Sequence, residues 1–115
     1  MVENRITDGK RIGQLLASEL TGLERGPLGK VSVVDADPDV EPDDDGALAY
    51  RIEADGEPLG TVAVTPETAR LRLESATAVA PERDDVTVEE DGTVVVAHSG
   101  AAVKALVDVV ADALH

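Results

Sequence analysis

The chain has no cysteine, no phenylalanine and no tryptophan, and Tyr50 is its only aromatic residue. Without cysteine there is no disulfide, no catalytic thiolate and none of the common cysteine-based zinc sites. Single-stranded nucleic acids stack on exposed aromatic rings, which one tyrosine cannot supply in number. No complete catalytic, metal-binding or cofactor-binding motif is present, and we predict no catalytic residue, metal or cofactor.

Long apolar segments are missing as well. No apolar run approaches the roughly 18 residues of a membrane-spanning helix, and no signal peptide is recognisable. The sequence therefore predicts a cytoplasmic protein without membrane contact. Its 115 residues suit one small domain over residues 1–115, which should bury somewhat over about 60% of the surface of the unfolded chain.

Basic residues are scarce relative to acidic ones. The chain has 24 Asp and Glu residues against 10 Lys and Arg residues, so its net charge is −14. Disorder explains this poorly, because 43% of the residues are apolar and they recur periodically. Adaptation to concentrated salt explains it better, because the Debye length falls to about 3 Å at 1 M and self-repulsion is screened. We therefore expect a halophilic protein in high monovalent salt.

Apolar periodicity predicts an α+β fold. Helices are predicted over Thr7–Leu23 and Ser99–Leu114. Strands are predicted at Lys30–Ala36, Ala47–Ala54, Leu59–Val64, Val86–Glu89 and Thr93–Ala97, with hairpin turns at Asp55-Gly56 and Asp91-Gly92. Residues 65–80 mix a helix-start signal with the alternation of Arg70–Glu74, and we favour a strand after a turn. The result is a five- to six-stranded, mostly antiparallel meander sheet with both helices packed on one face.

The predicted C-terminal helix is more apolar than packing on a sheet requires. Its polar residues fall in one narrow arc, formed by Lys104, Asp108, Asp112 and His115. A helix that faces only a sheet needs a smaller apolar surface. We expect the first helix to cover the remainder, and a homodimer in which a second copy covers it is the alternative.

The densest acidic segment, Asp35–Gly46, has alternating carboxylates like those that begin a calcium-binding loop. The match ends at the sixth position, which is Val40 instead of glycine, and at the twelfth, which is Gly46 instead of glutamate. Pro38 and Pro42 stiffen the chain where it would have to wrap around the ion. We interpret the segment as a solvated loop without a specific metal site.

His98 and Ser99 lie where a strand meets a helix, which is the setting of a hydrolase nucleophile. The glycines of G-x-S-x-G are absent, because Ala97 and Ala101 stand in their places. We expect Ser99 to cap the last helix. A small ligand-binding or catalytic pocket at His98 and Ser99 is the alternative.

Glu19 is the one charged residue within the apolar arc of the first helix. A half-buried carboxylate could act as an acid or a base. We expect instead that it pairs with an arginine of the sheet, such as Arg51 or Arg70.

Acidic residues are few at the start of the chain. Residues 1–30 contain five basic and four acidic residues, for a net charge of +1, whereas residues 31–115 contain five basic and twenty acidic residues, for −15. The candidate interaction surface combines an outer stripe of the first helix with one face of a strand: Lys10, Gln14, Thr21, Arg25, Arg70 and Arg72. It suits a protein partner better than a nucleic acid, because phosphates favour a continuous basic patch. The simpler interpretation, which we favour, is that the first helix has few acidic residues because it is partly covered.

Three segments, Arg5–Leu20 (RITDGKRIGQLLASEL), Val33–Asp39 (VVDADPD) and Ser99–Ala105 (SGAAVKA), resemble an uncharacterised family of small acidic proteins from halophilic archaea. The resemblance implies a cytosolic setting and supplies no activity, cofactor or catalytic residue. We therefore expect a non-enzymatic protein-interaction or accessory domain. The alternatives are a nucleic-acid-associated accessory protein that uses the acid-poor first helix, and a small ligand binder or enzyme at His98 and Ser99.

Overall fold

The computed structural model of the protein describes residues 9–22, 31–37, 39–74 and 84–113. Its elements follow in the order α1 (Gly9–Gly22), β1 (Val31–Val34), β2 (Ala47–Ala54), β3 (Glu57–Val64), β4 (Ala69–Leu73), β5 (Val86–Glu89), β6 (Val94–Ala97) and α2 (Val103–Ala113). Short 3-10 helices at Glu90–Gly92 and Gly100–Ala102 precede β6 and α2. The predicted helix ends at Thr7, Leu23 and Leu114 lie outside the described residues.

The six strands form one antiparallel sheet in the order β1-β2-β3-β4-β6-β5. The predicted meander is confirmed, with one refinement at its end. The last hairpin enters the sheet in reverse, so that β6 pairs with β4 and β5 forms an edge. The Asp55-Gly56 turn has positive φ at both residues, 51° and 81°. Such turns match the right-handed twist of the strands they join.

The segment with mixed signals, residues 65–80, contains a turn and then a strand, as favoured. The Thr65 N–H donates to the Thr68 carbonyl at 2.9 Å, and the Thr68 N–H donates to Thr65 Oγ1 at 3.0 Å. β4 then buries Leu71 and Leu73 on one face while its arginines point to the other. Residues 75–80 lie outside the described part of the chain.

Both helices pack on the same face of the sheet. The strand register aligns Tyr50, Val62, Leu71 and Val95 across four neighbouring strands. These residues form one buried cluster with apolar residues of α1 and α2, namely Ile12, Leu16, Leu20, Leu106, Val109 and Val110. Neither described helix is long and apolar enough to span a bilayer.

The apolar excess of α2 is buried within one chain. Its apolar residues from Val103 to Val110 are at most 8% exposed, and α1 contacts α2. Lys104 and Asp108 are exposed, as the narrow polar arc predicts. The expectation that α1 packs beside α2 is met, so α2 does not require a second copy, and a homodimer stays a prediction.

Candidate functional site

A cleft of about 220 Å³ opens between α1, β2 and the loop that joins β1 to β2. Nine residues line this α1 cleft: Lys10, Gly13, Gln14, Ala17, Ala36, Asp37, Val40, Ala49 and Tyr50. Pockets for drug-sized ligands measure about 300–1,000 Å³, whereas a dry apolar cavity of about 150 Å³ holds one benzene. The α1 cleft therefore has the size for one aliphatic or aromatic group.

The α1 cleft exists because the side chains that line it are short. Gly13 and Ala17 lie about one helical turn apart on α1, and Ala36 and Ala49 line the cleft from the loop and from β2. None of these four residues has a side chain beyond Cβ. Gly13 also packs closely on β3, since a Cβ atom there would lie 3.0 Å from Cγ1 of Val64 and would require that side chain to shift.

Tyr50 brings a polar group to the inner part of the cleft. Its side chain is buried, and its hydroxyl donates a 2.8 Å hydrogen bond to the Gly13 carbonyl. Burial raises the pKa of this phenol well above its ordinary value, because the phenolate would lose its hydration. The hydroxyl is therefore neutral and already hydrogen-bonded. It links β2 to α1 and is a poor general base.

The loop wall of the cleft is held by backbone hydrogen bonds. Ala49 is a bulge residue without a register partner in β3, and its carbonyl accepts the Asp37 N–H at 2.8 Å. The Val40 N–H donates to the Asp37 carbonyl at 3.2 Å, and the Asp39 N–H donates to Asp37 Oδ1 at 3.0 Å. These bonds bury Val40 in the wall and keep Asp37 exposed at the rim.

The two sides of the cleft differ in charge. The described part of α1 carries Lys10, Arg11 and Glu19. Residues 35–45 carry seven carboxylates and no basic residue, and all seven acidic residues are exposed. Arg51 lies beside one of them, with Nε 3.8 Å from Asp35 Oδ2. The cleft therefore runs between a mildly basic helix and a strongly acidic loop.

The structure divides the predicted interaction surface into two parts. Lys10 and Gln14 line the α1 cleft. Thr21 is exposed further along α1, and its hydroxyl donates to the Ala17 carbonyl at 2.9 Å. Arg25 lies outside the described residues. The remaining two residues, both arginines of β4, are on the other face of the sheet.

Arg70 and Arg72 form ion pairs across the helix-free face. Arg70 Nη2 lies 2.9 Å from Glu89 Oε1, and Arg72 Nη2 lies 2.9 Å from Glu90 Oε2. Both pairs span β6, because that strand lies between β4 and β5. The arginines therefore connect β4 to the edge of the sheet at β5. They do not form one continuous surface with the predicted α1 residues.

Two valines beneath these ion pairs are buried although they lie on the helix-free face. Val94 and Val96 are 1% and 5% exposed, and the register places them beside Arg72 and Arg70. Arginine stems commonly cover apolar surface while the charged group stays in water. The register therefore places the alkyl stems of both arginines next to these valines.

Ser99 does not make the predicted capping bond. It occupies the N-cap position before Gly100–Ala102, but its hydroxyl donates to Asp85 Oδ2 at 2.8 Å. The neighbouring His98 N–H donates to the Asp85 carbonyl at 2.9 Å, and His98 Nε2 lies 2.8 Å from Thr87 Oγ1. The capping prediction was wrong because the turn before β5 brings a carboxylate to the hydroxyl. These contacts hold the turn before β5 against the segment that leads into α2. His98 is hydrogen-bonded to Thr87 and not to Ser99, so it is not placed as a base for Ser99.

Glu19 does not pair with the arginines suggested from the sequence. Arg51 contacts Asp35, and Arg70 contacts Glu89. That prediction was wrong because both arginines lie on the helix-free face, whereas α1 packs on the other. Within the described residues, no group of three Asp, Glu or His residues is placed to hold a metal ion.

A family model described as a family of unknown function (DUF7993) matches residues 1–115. The chain belongs to this family. No curated protein and no solved structure matches it. Membership of DUF7993 brings no activity or ligand with it, so the functional argument depends on the geometry of the α1 cleft.

Reasoning from the sequence found two of the nine residues that line the cleft of this DUF7993 protein, Lys10 and Gln14. For some of the other lining residues, the sequence did contain a pattern that could have indicated the cleft. Gly13 and Ala17 place small residues beside the acid-poor stripe of α1 at helical spacing. Ala36, Val40 and Ala49 carried no such signal, because only the folded loop brings them next to the helix.

Proposed function

We propose that this protein is a non-enzymatic interaction module that holds an apolar side chain of a partner protein in the α1 cleft. The observation that supports this function best is the cleft itself, a small recess with short apolar walls. Its buried hydroxyl, on Tyr50, already has a hydrogen-bond acceptor. An apolar group can therefore enter without leaving that hydroxyl unpaired.

The free energy available in the cleft indicates that the bound side chain is one anchor within a larger protein–protein interface. Burying one leucine-sized side chain contributes about 1.5–3 kcal/mol, less than the about 4–15 kcal/mol that association costs in lost freedom of motion. The rest of the partner must contact surface around the cleft. The exposed stripe of α1 with Gln14 and Thr21 is the natural continuation, because it adjoins the cleft and carries few acids.

The experiment compares two leucine substitutions on α1. Ala17→Leu fills the cleft, whereas Ser18→Leu adds the same side chain at an exposed neighbouring position that does not line it. The probe is a short peptide with a central leucine flanked by serines, long enough to contact the exposed stripe of α1 as well as the cleft, and it is titrated into ¹⁵N-labelled protein. We expect amide shifts around Ala36 and Ala49 in the wild type and in Ser18→Leu, and none in Ala17→Leu. Shifts that persist unchanged in Ala17→Leu would refute the function.

We also propose that the protein is halophilic and works in the cytoplasm at high salt. The net charge of −14 and the absence of buried charged residues in the described part of the chain support this setting. The melting temperature should rise steeply between low salt and molar KCl, because screening removes the repulsion between carboxylates. Sucrose at equal osmolality is the control, and a melting temperature that is independent of KCl would contradict the proposal.

A further inference from the structure

We infer that the partner segment is basic and amphipathic: an apolar residue enters the α1 cleft, and flanking Lys or Arg residues contact the acidic loop of residues 35–45. This inference rests on the proposed function of the cleft and specifies the chemistry of the partner. It excludes a second copy of the chain and a nucleic acid as the occupant of this site.

Charge complementarity is the first argument. Asp37 stands at the rim of the cleft, and Asp39 and Glu41 flank the buried Val40 that forms part of its wall. The loop contains no basic residue of its own, and Arg51 reaches only its first carboxylate, Asp35. A segment seated in the cleft therefore passes along a row of exposed carboxylates, which favours positive charge.

The opposite wall does not reverse this preference. Lys10 is the one basic residue that lines the cleft, and Arg11 is exposed beside it. Glu19 on the same helix offsets one of these charges, so that the described part of α1 has a net charge of +1, against seven carboxylates in residues 35–45. For a basic residue of the partner that lies nearer the loop than α1, the attraction to the loop carboxylates exceeds the repulsion from Lys10 and Arg11.

The same charges exclude the other occupants. A second copy would offer few basic residues to the site, because its residues 31–115 have a net charge of −15. A nucleic acid would bring its phosphates against the acidic loop, and phosphates bind to positive surfaces. Only a partner with positive charge next to an apolar residue matches both the cleft and its rim.

The loop presents its carboxylates from a fixed backbone. Its hydrogen bonds to Ala49 and within the Asp37–Val40 turn hold the wall in place before binding. A preorganised surface loses less conformational freedom on binding. At about 1 M salt the Debye length is about 3 Å, so contacts between adjacent charges persist in part while long-range attraction disappears.

The experiment uses the full chain and three short peptides that share a central leucine. The leucine is flanked by lysines in the first peptide, by glutamates in the second and by serines in the third. Dissociation constants are measured by calorimetry in about 0.1 M and about 1 M KCl. We expect the lysine peptide to bind roughly tenfold tighter than the serine peptide, since each exposed charge pair contributes modestly. The glutamate peptide should bind more weakly than both, and molar KCl should reduce the difference without removing it.

Matched variants separate a local effect from the charge of the whole protein. The test variant combines Asp37→Asn, Asp39→Asn and Glu41→Gln, where an asparagine in place of Asp37 can keep the same turn because its amide oxygen also accepts the backbone N–H. The control variant removes the same charge from exposed positions that do not line the cleft: Glu57→Gln, Glu74→Gln and Asp108→Asn. The test variant should lose roughly tenfold in affinity for the lysine peptide, and the control variant should lose little.

Each outcome decides a different claim. If the three peptides bind equally and Ala17→Leu abolishes their binding, the proposed function stands and the inference is overturned. If both triple variants lose affinity equally, or if Ala17→Leu still binds the lysine peptide fully, the attraction is diffuse and the inference is overturned. If no peptide binds the wild type, the proposed function fails together with the inference.

Discussion

The phenol of Tyr50 should make the stability of the protein sensitive to alkaline pH. Burial raises the pKa of this group above its ordinary value of about 10. The folded protein therefore holds the phenolic proton more tightly than the unfolded chain does. The stabilisation is complete below pH about 10 and is lost as the pH rises toward the pKa of the folded state, by about 1.4 kcal/mol per pH unit.

The assay is urea unfolding of the wild type and of Tyr50→Phe, followed by circular dichroism. At pH 8 the variant should lose about 1 kcal/mol for its missing hydrogen bond, because the Gly13 carbonyl retains its helical partner, the Ala17 N–H. Between about pH 10 and 11.5 the wild type should lose about 2 kcal/mol more than the variant. Contributions from all other groups are common to both proteins and cancel in the comparison.

Absorbance provides an independent readout, because Tyr50 is the only aromatic residue in the sequence. The phenolate band should develop together with unfolding and not before it. A folded protein whose phenolate forms near the ordinary pKa would refute the reasoning. Parallel losses of stability in the wild type and in Tyr50→Phe would refute it as well.

Two further predictions concern the fold. Gly60→Ala should destabilise the protein by about 1–3 kcal/mol in urea unfolding, because the new Cβ would clash with the Arg72 carbonyl oxygen. Gly56→Ala should cost only about 1 kcal/mol, because its φ is positive but the space around it is open. An equal or larger loss in Gly56→Ala would contradict this. In a double-mutant cycle, Ser99→Ala and Asp85→Ala should couple by about 1 kcal/mol. Additive effects would instead favour a role for Ser99 that is independent of Asp85.

Local sequence patterns predicted the helices, strands and turns well where the pattern fits only one kind of secondary structure. The alternation around Leu71 and Leu73 indicated a strand because a sheet buries every second side chain, and β4 forms there. Asp55-Gly56 predicted its hairpin because both positions need positive φ, which the structure has. The apolar repeat of α1 likewise predicted the buried Ile12 and Leu16.

Predictions that depended on a distant partner were less successful. Ser99 was expected to bond to its own helix, but Asp85 lies nearer to its hydroxyl. Glu19 was expected to reach an arginine of the sheet, and the pleat puts Arg51 and Arg70 on the other face. A residue's own neighbours in sequence do not reveal which distant group the fold brings to it.

The sequence alone determined the α+β fold, because the periodic spacing of apolar residues is a local property of each segment. It also determined the overall acidity and the acid-poor first helix, because these follow from composition. Tertiary structure established the order of β5 and β6, the ion pairs of Arg70 and Arg72, and the α1 cleft. A cleft is space between elements, and its shape depends on how closely α1, β2 and the loop approach one another. Those distances are set by packing of the whole core, which no single segment encodes.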